Sequence, residues 1–143
     1  MNADTELLNF IYQNSQMGVE TIGQLLSISE DEDFKHHLSE ELQGYKQIHE
    51  KAKDLLNQHG LKEKDISTME KIMAYLAIDM KTFVDKTPSH MAEMLILGGT
   101  RGIIDCIKRI RQYEGEAKED IVSLMNHLLK VEENHLDRLK KVL

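Results

Sequence analysis

Apolar residues recur three and four positions apart along nearly the whole chain, and nowhere settle into the alternation of a half-buried strand. Leu7, Leu8, Ile11, Gly18, Ile22 and Leu25 share one side of a helix expected over about 5–27. Phe34, Leu38, Leu42, Tyr45, Ile48, Ala52 and Leu55/Leu56 do the same over about 32–59. Ser29 with Glu32 three residues later reads as a capping box opening that second helix, and Gly60 as its stop. Ile66, Met69, Met73, Leu76, Met80 and Phe83 predict a helix over about 65–84, capped by Asp65. Thr87 and Pro88 open the next, over about 88–113, which ends before Gly115. Ile121, Leu124, Met125, Leu128, Leu136 and Leu139 mark the last, over about 117–141.

These lengths imply a topology. Four of the segments span 23 residues or more, so each is about 35–45 Å long. The first and second are joined by a few residues, as are the fourth and fifth, so each pair is expected to form an antiparallel hairpin. The helix over 65–84 can travel about 30 Å, enough to return the chain to the end where the second helix began. A single all-α domain over 1–143 follows: a four-helix bundle of two antiparallel hairpins joined by a helical crossover. A plain up-down bundle of five helices is the alternative.

Composition agrees with the helical class: one proline, no tryptophan, and 30% charged residues. The net charge of −7 argues against nucleic acid and against an anionic membrane surface. No apolar run approaches membrane-spanning length, and the start MNADTELLNF lacks the basic and apolar regions of a signal peptide. A single cysteine, Cys106, fits a reducing compartment. The expected location is therefore cytoplasmic.

The stretch MLILGGTRGIIDCI is apolar on more than half its circumference, which suggests several neighbours or a subunit interface, and hence a homodimer. Gly98, Gly99 and Gly102 inside a helix cost about 1 kcal/mol each against alanine. Close packing over small residues, a kink, or a phosphate-binding loop could offset this. The last is disfavoured, because no strand precedes the glycines and no Lys-Ser/Thr pair follows them.

Candidate chemistry lies where polar residues interrupt apolar stripes. Glu132 falls near the centre of the last helix's apolar arc, with His135 toward its flank, and Glu41 lies on the stripe of Leu38, Tyr45 and Ile48. Helical rise brings Glu41 and Glu132 to the same layer within about one turn. Glu93 sits at the edge of its own arc, whereas Glu20 is aimed nearly opposite to Ile11, Gly18 and Ile22. Two readings stand. Glu41, Glu132 and His135, with Glu20 and Glu93 as possible additions, could bind iron or manganese through carboxylate and imidazole. Alternatively Glu41, Tyr45, His49, Glu132 and His135 form a buried hydrogen-bonded network that sets helix register.

The order Glu20, Glu41-x-x-Gly44, Glu93, Glu132-x-x-His135 resembles the ferritin-like di-iron pattern of Glu, Glu-x-x-His, Glu and Glu-x-x-His on four successive helices. That resemblance implies a ferritin-like four-helix bundle, with a metal centre if the ligands are complete. Gly44, which cannot bind a metal, stands at one of the histidine positions. The segment AEMLILGGTRGIIDCI is also similar to a group of small, uncharacterised bacterial helical-bundle proteins, a likeness that carries no activity.

His36, His37, His59, His90 and His127 are expected at the surface or at helix ends, and Cys106 as an inert core residue. Met69, Met73, Met80, Met91, Met94 and Met125 read as core filling. The leading expectation is a non-enzymatic module with a structural or interaction role and no cofactor. Its rivals are an iron or manganese protein with oxidoreductase chemistry, and a sensor that takes a small molecule or peptide in a Met-lined groove.

Overall fold

The computed structural model describes residues 2–63 and 85–143. The described residues form four α-helices and no strand: α1 (Ala3–Ile28), α2 (Glu32–Gln58), α3 (Pro88–Gln112) and α4 (Glu119–Lys140). None of these helices is long and apolar enough to cross a membrane. The helix expected over 65–84, with Met69, Met73 and Met80, lies outside the described residues.

Local chemistry explains most helix ends. Asn2 caps α1 by accepting from the Asp4 amide at 2.7 Å. The capping box expected at Ser29 is replaced by a different arrangement. Ser29 still donates its amide to the Leu25 carbonyl at 2.9 Å and so closes α1. Asp31 caps α2 instead, accepting from the Phe34 amide at 2.8 Å. Both residues are good caps, but only Asp31 lies beyond the last bond of the preceding helix. The Ser29 hydroxyl is buried without a hydrogen-bond partner. Asp31→Ala should therefore cost about 1 kcal/mol, whereas Ser29→Ala should be neutral or slightly stabilising, because it removes an unsatisfied polar group. Urea denaturation of the two variants checks this; an equal loss in both would count against the assignment.

Gly60 ends α2 as expected. Its φ is +68°, and the Leu61 amide reaches back to the Leu56 carbonyl at 2.8 Å. Thr87 caps α3 through the His90 amide at 3.3 Å, with Pro88 in the first turn. The start of α4 has no side-chain cap of its own. The Lys118 amide donates to Asp4 Oδ1 at 2.8 Å, which ties the start of α4 to the start of α1.

The core is built from the apolar stripes: Leu7, Leu8, Ile11 and Ile22 of α1, Leu38, Ile48 and Leu56 of α2, Met91 and Cys106 of α3, and Ile121, Met125 and Leu128 of α4. Between α1 and α2 the Tyr12 and His49 rings stack at 4.3 Å. Between α3 and α4 the Cys106 thiol donates to the Met125 carbonyl at 3.7 Å. Across α2 and α4, Arg138 bonds to Glu40. Arg109 of α3 lies over the Phe10 ring of α1 and pairs with Glu6 at 3.6 Å.

The glycines of α3 lie within unbroken helix. A Cβ at Gly99 would sit 2.8 Å from Leu136 Cδ1, and one at Gly102 would sit 2.7 Å from Glu132 Oε2. Close approach to α4 thus accounts for two of them. Gly98 meets nothing within 4 Å. On the outer side of α3, Leu97 and Ile104 stand exposed.

Candidate ligand pocket

The Leu38, Tyr45 and Ile48 stripe of α2 turns Glu41 inward, and the Leu128 and Leu139 stripe of α4 does the same for Glu132. Glu41 is 1% exposed and Glu132 3%. Both line a cavity of about 180 Å³ among the four helices, together with Tyr45 and His135. The rest of its described wall is mostly apolar, with Met17 and Ile22 from α1, Met94 and Leu95 from α3, and Leu136 and Leu139 from α4, beside the polar Asn14 and Thr21 of α1. Exposed Gly98 also lines it, so the cavity reaches the surface along α3.

Small residues shape this space. A Cβ at Gly18 would lie 2.7 Å from the Tyr45 ring, so the glycine lets that ring lie directly on α1. The space beside Gly102 is taken by the Glu132 carboxyl. A Cβ at Gly44 would be 3.6 Å from His135 Nε2, so α2 passes close under the imidazole. The Tyr45 and His135 rings meet edge to face at 5.3 Å.

Burial governs the charge states. It pushes Glu132 up to about 7, with no partner offsetting it. It pushes Glu41 up to about 8 against the opposing pull of the Arg138 cation. Glu41 Oε1 lies 2.8 Å from His37 Nε2, and His37 is itself held below its ordinary value, by burial first and Arg138 second. Burial, then Arg138 and His37, bring His135 down to about 4, so its ring is neutral. His135 Nδ1 is buried without a hydrogen-bond partner. Tyr45 is held well above its usual value by burial and by both glutamates, and so stays a phenol. Burial, with Glu132 and Glu133, pushes Cys106 up to about 12, consistent with an inert thiol.

Of the residues singled out from sequence, Glu41, Glu132 and His135 share the cavity wall. Glu20 and Glu93 do not line it; Glu93 is 63% exposed and pairs with His90 at 3.7 Å. The expected single polar network is divided. His49 turns instead to α1, its Nδ1 lying 3.2 Å from both the Ser15 hydroxyl and the Tyr12 carbonyl. His37, expected at the surface, is 14% exposed in its side chain and is the close partner of Glu41. Its four-residue spacing from Glu41 was the available signal. Ser15, buried completely on the stripe of α1, was not anticipated.

Among the described residues, no group of three or more His, Cys, Asp or Glu side chains is arranged to hold a metal ion. Gly44 offers no donor, and the Glu132 carboxyl occupies the ground next to Gly102. The described residues therefore bring together no dinuclear carboxylate–histidine centre.

No family model, curated protein or solved structure matches this chain.

Proposed function

We propose that this protein is a non-enzymatic, ferritin-like helical bundle that binds a small molecule in the pocket between its helices. The ferritin-like arrangement is supported by the order of contacts. Along α1 and α2 residue 12 meets 49 and residue 18 meets 45. Along α3 and α4 the pairs are 99 with 136, 102 with 132, and 106 with 125. Along α2 and α4 they are 40 with 138 and 44 with 135. In every pair one number rises as the other falls, as in antiparallel neighbours. α2 and α3 then share a direction, as they do in two antiparallel hairpins joined by a crossover.

The observation that carries the binding role is Glu132. A carboxyl 3% exposed, with no partner offsetting its burial, is expensive to keep. A register-setting network would satisfy it from within. Here it faces a cavity with apolar walls and a few polar groups, the usual form of a small-molecule site. The neutral His135 ring and the Tyr45 hydroxyl add hydrogen-bonding capacity on the same wall.

NMR titration of the full chain with single-ring fragments tests this reading. Binding should move the backbone amides of Gly18, Gly98, Gly99 and Gly102 together. Gly98→Leu, which places bulk where a Cβ meets nothing within 4 Å, should abolish those shifts without unfolding the bundle. No fragment acting on these glycines, or equal shifts in the Gly98→Leu variant, would overturn the binding role.

A further inference from the structure

We propose that the pocket is built for a small organic ammonium ion carrying an apolar body, its nitrogen seated against the carboxyls of Glu132 and Glu41. This rests on the pocket being a ligand site and goes further by naming the chemical class of its occupant.

Polarity comes first. Among the described residues, the acidic side chains in the cavity wall are Glu132 and Glu41, and no lysine or arginine lines it. The nearby cation, Arg138, is bonded to Glu40 on the outer side of α2. α1 contributes Asn14, Met17, Gly18, Thr21 and Ile22 to the wall, none of them ionisable. α3 contributes Met94, Leu95 and three glycines; its Cys106 is a buried thiol bonded to the Met125 carbonyl. Among the described residues, His135 and Tyr45 also line the wall, and His37 stands behind it, held by Glu41. Among the described lining residues, an anion entering here would meet two carboxyls and no cation. An ammonium ion would meet two acceptors and an aromatic ring, the surroundings that compensate loss of hydration for such an ion.

Size and shape come second. About 180 Å³ slightly exceeds the ~150 Å³ cavity known to accept a benzene ring, so the occupant has the bulk of one ring or a short chain. Six apolar side chains cover its body. A bare metal ion is a poor match, because it needs three or four converging donors and the described residues bring no such group together.

NMR titration of the full chain at pH 8 with cyclohexylamine, cyclohexanol and cyclohexanecarboxylate separates the possibilities. These probes share one ring and differ in charge. Cyclohexylamine should bind at least tenfold tighter than cyclohexanol, and the carboxylate should leave the pocket amides unmoved. Glu132→Gln, nearly isosteric and uncharged, should weaken the amine at least tenfold while leaving cyclohexanol within about threefold. Glu41→Gln should weaken the amine in the same direction, and provides the second variant if Glu132→Gln fails to fold. Equal affinity for amine and alcohol would overturn the ammonium assignment and leave the pocket reading intact. Binding of none of the three, with single-ring fragments also silent, would overturn both. Stoichiometric binding of manganese(II) that is lost in Glu132→Gln, with no binding of the amine, would overturn the assignment in favour of a metal.

Discussion

Stability should fall steadily as the pH rises from about 5 to about 8, and Glu132→Gln should remove a large part of that fall. The reason is the burial of two carboxyls. In the folded chain Glu132 titrates at about 7 and Glu41 at about 8, against 4.5 for an ordinary glutamate. A folded value above the unfolded one means that the native state holds the proton more tightly. The resulting stabilisation is complete below about 4.5 and is lost as the pH climbs through 7 and 8. His135 works in the opposite sense. Its folded value of about 4 lies below 6.5, so it contributes fully above 6.5 and loses that contribution as the pH drops toward 4.

His37, which burial and Arg138 also hold below its ordinary value, acts in the same sense as His135, so between 4.5 and 6.5 the two imidazoles offset part of the effect of the two carboxyls and stability declines only gently. From 6.5 to about 7 the histidine term is constant, and the decline is steepest. The displacement of Glu132 alone corresponds to about 3 kcal/mol once the pH exceeds 7. Glu132→Gln should thus be more stable than the parent at pH 8 by up to about 3 kcal/mol, with a smaller difference at pH 5. Urea denaturation followed by circular dichroism across this range provides the measurement. A flat profile, or a parent chain that gains stability toward pH 8, would show that these acids are not held neutral by the fold.

Gly18→Ala should destabilise the bundle by about 1–2 kcal/mol, whereas Gly23→Ala, little more than one turn later in α1, should stabilise it by about 0.5–1 kcal/mol. Alanine is the better helix former at both positions, by about 1 kcal/mol. Their neighbours differ. At Gly18 the new Cβ would lie 2.7 Å from Cδ1 and Cγ of Tyr45 and 2.9 Å from Cδ2, whereas at Gly23 it would meet nothing within 4 Å. Tyr45 is 9% exposed and rests against His135, so its ring has little room to yield. Overpacking of this kind costs typically about 1–3 kcal/mol and outweighs the helix gain. Equal stabilisation by both alanines would mean that the Tyr45 ring does not lie on Gly18. Because Tyr45 also lines the cavity, Gly18→Ala should alter fragment shifts at the pocket, which Gly23→Ala should not.

What could be read directly from the chain were properties set by neighbours in sequence. The four described helices lie within about two residues of the boundaries expected from apolar spacing. Asp31, Thr87 and Gly60 act through groups only a few residues away, although Ser29 and Asp31 compete for one role and spacing alone favoured the wrong one. The inward turn of Glu41 and Glu132 was legible for the same reason: each lies on a stripe whose other members must be buried.

Relations between stripes were decided by tertiary structure. Periodicity places His49 and Glu41 on one side of α2, but only the approach of α1 sends His49 to Tyr12 and Ser15 and leaves Glu41 to the cavity. A glycine in a sequence is a missing side chain, and what fills its place belongs to another helix: the Tyr45 ring at 18, Leu136 at 99 and the Glu132 carboxyl at 102. The protonation of the two acids has the same origin, since desolvation is set by every atom packed around a group rather than by its neighbours in the chain. Sequence determined which residues turn inward, because helical geometry is local. What each one meets there was decided by how the helices pack, because packing joins residues far apart in the chain.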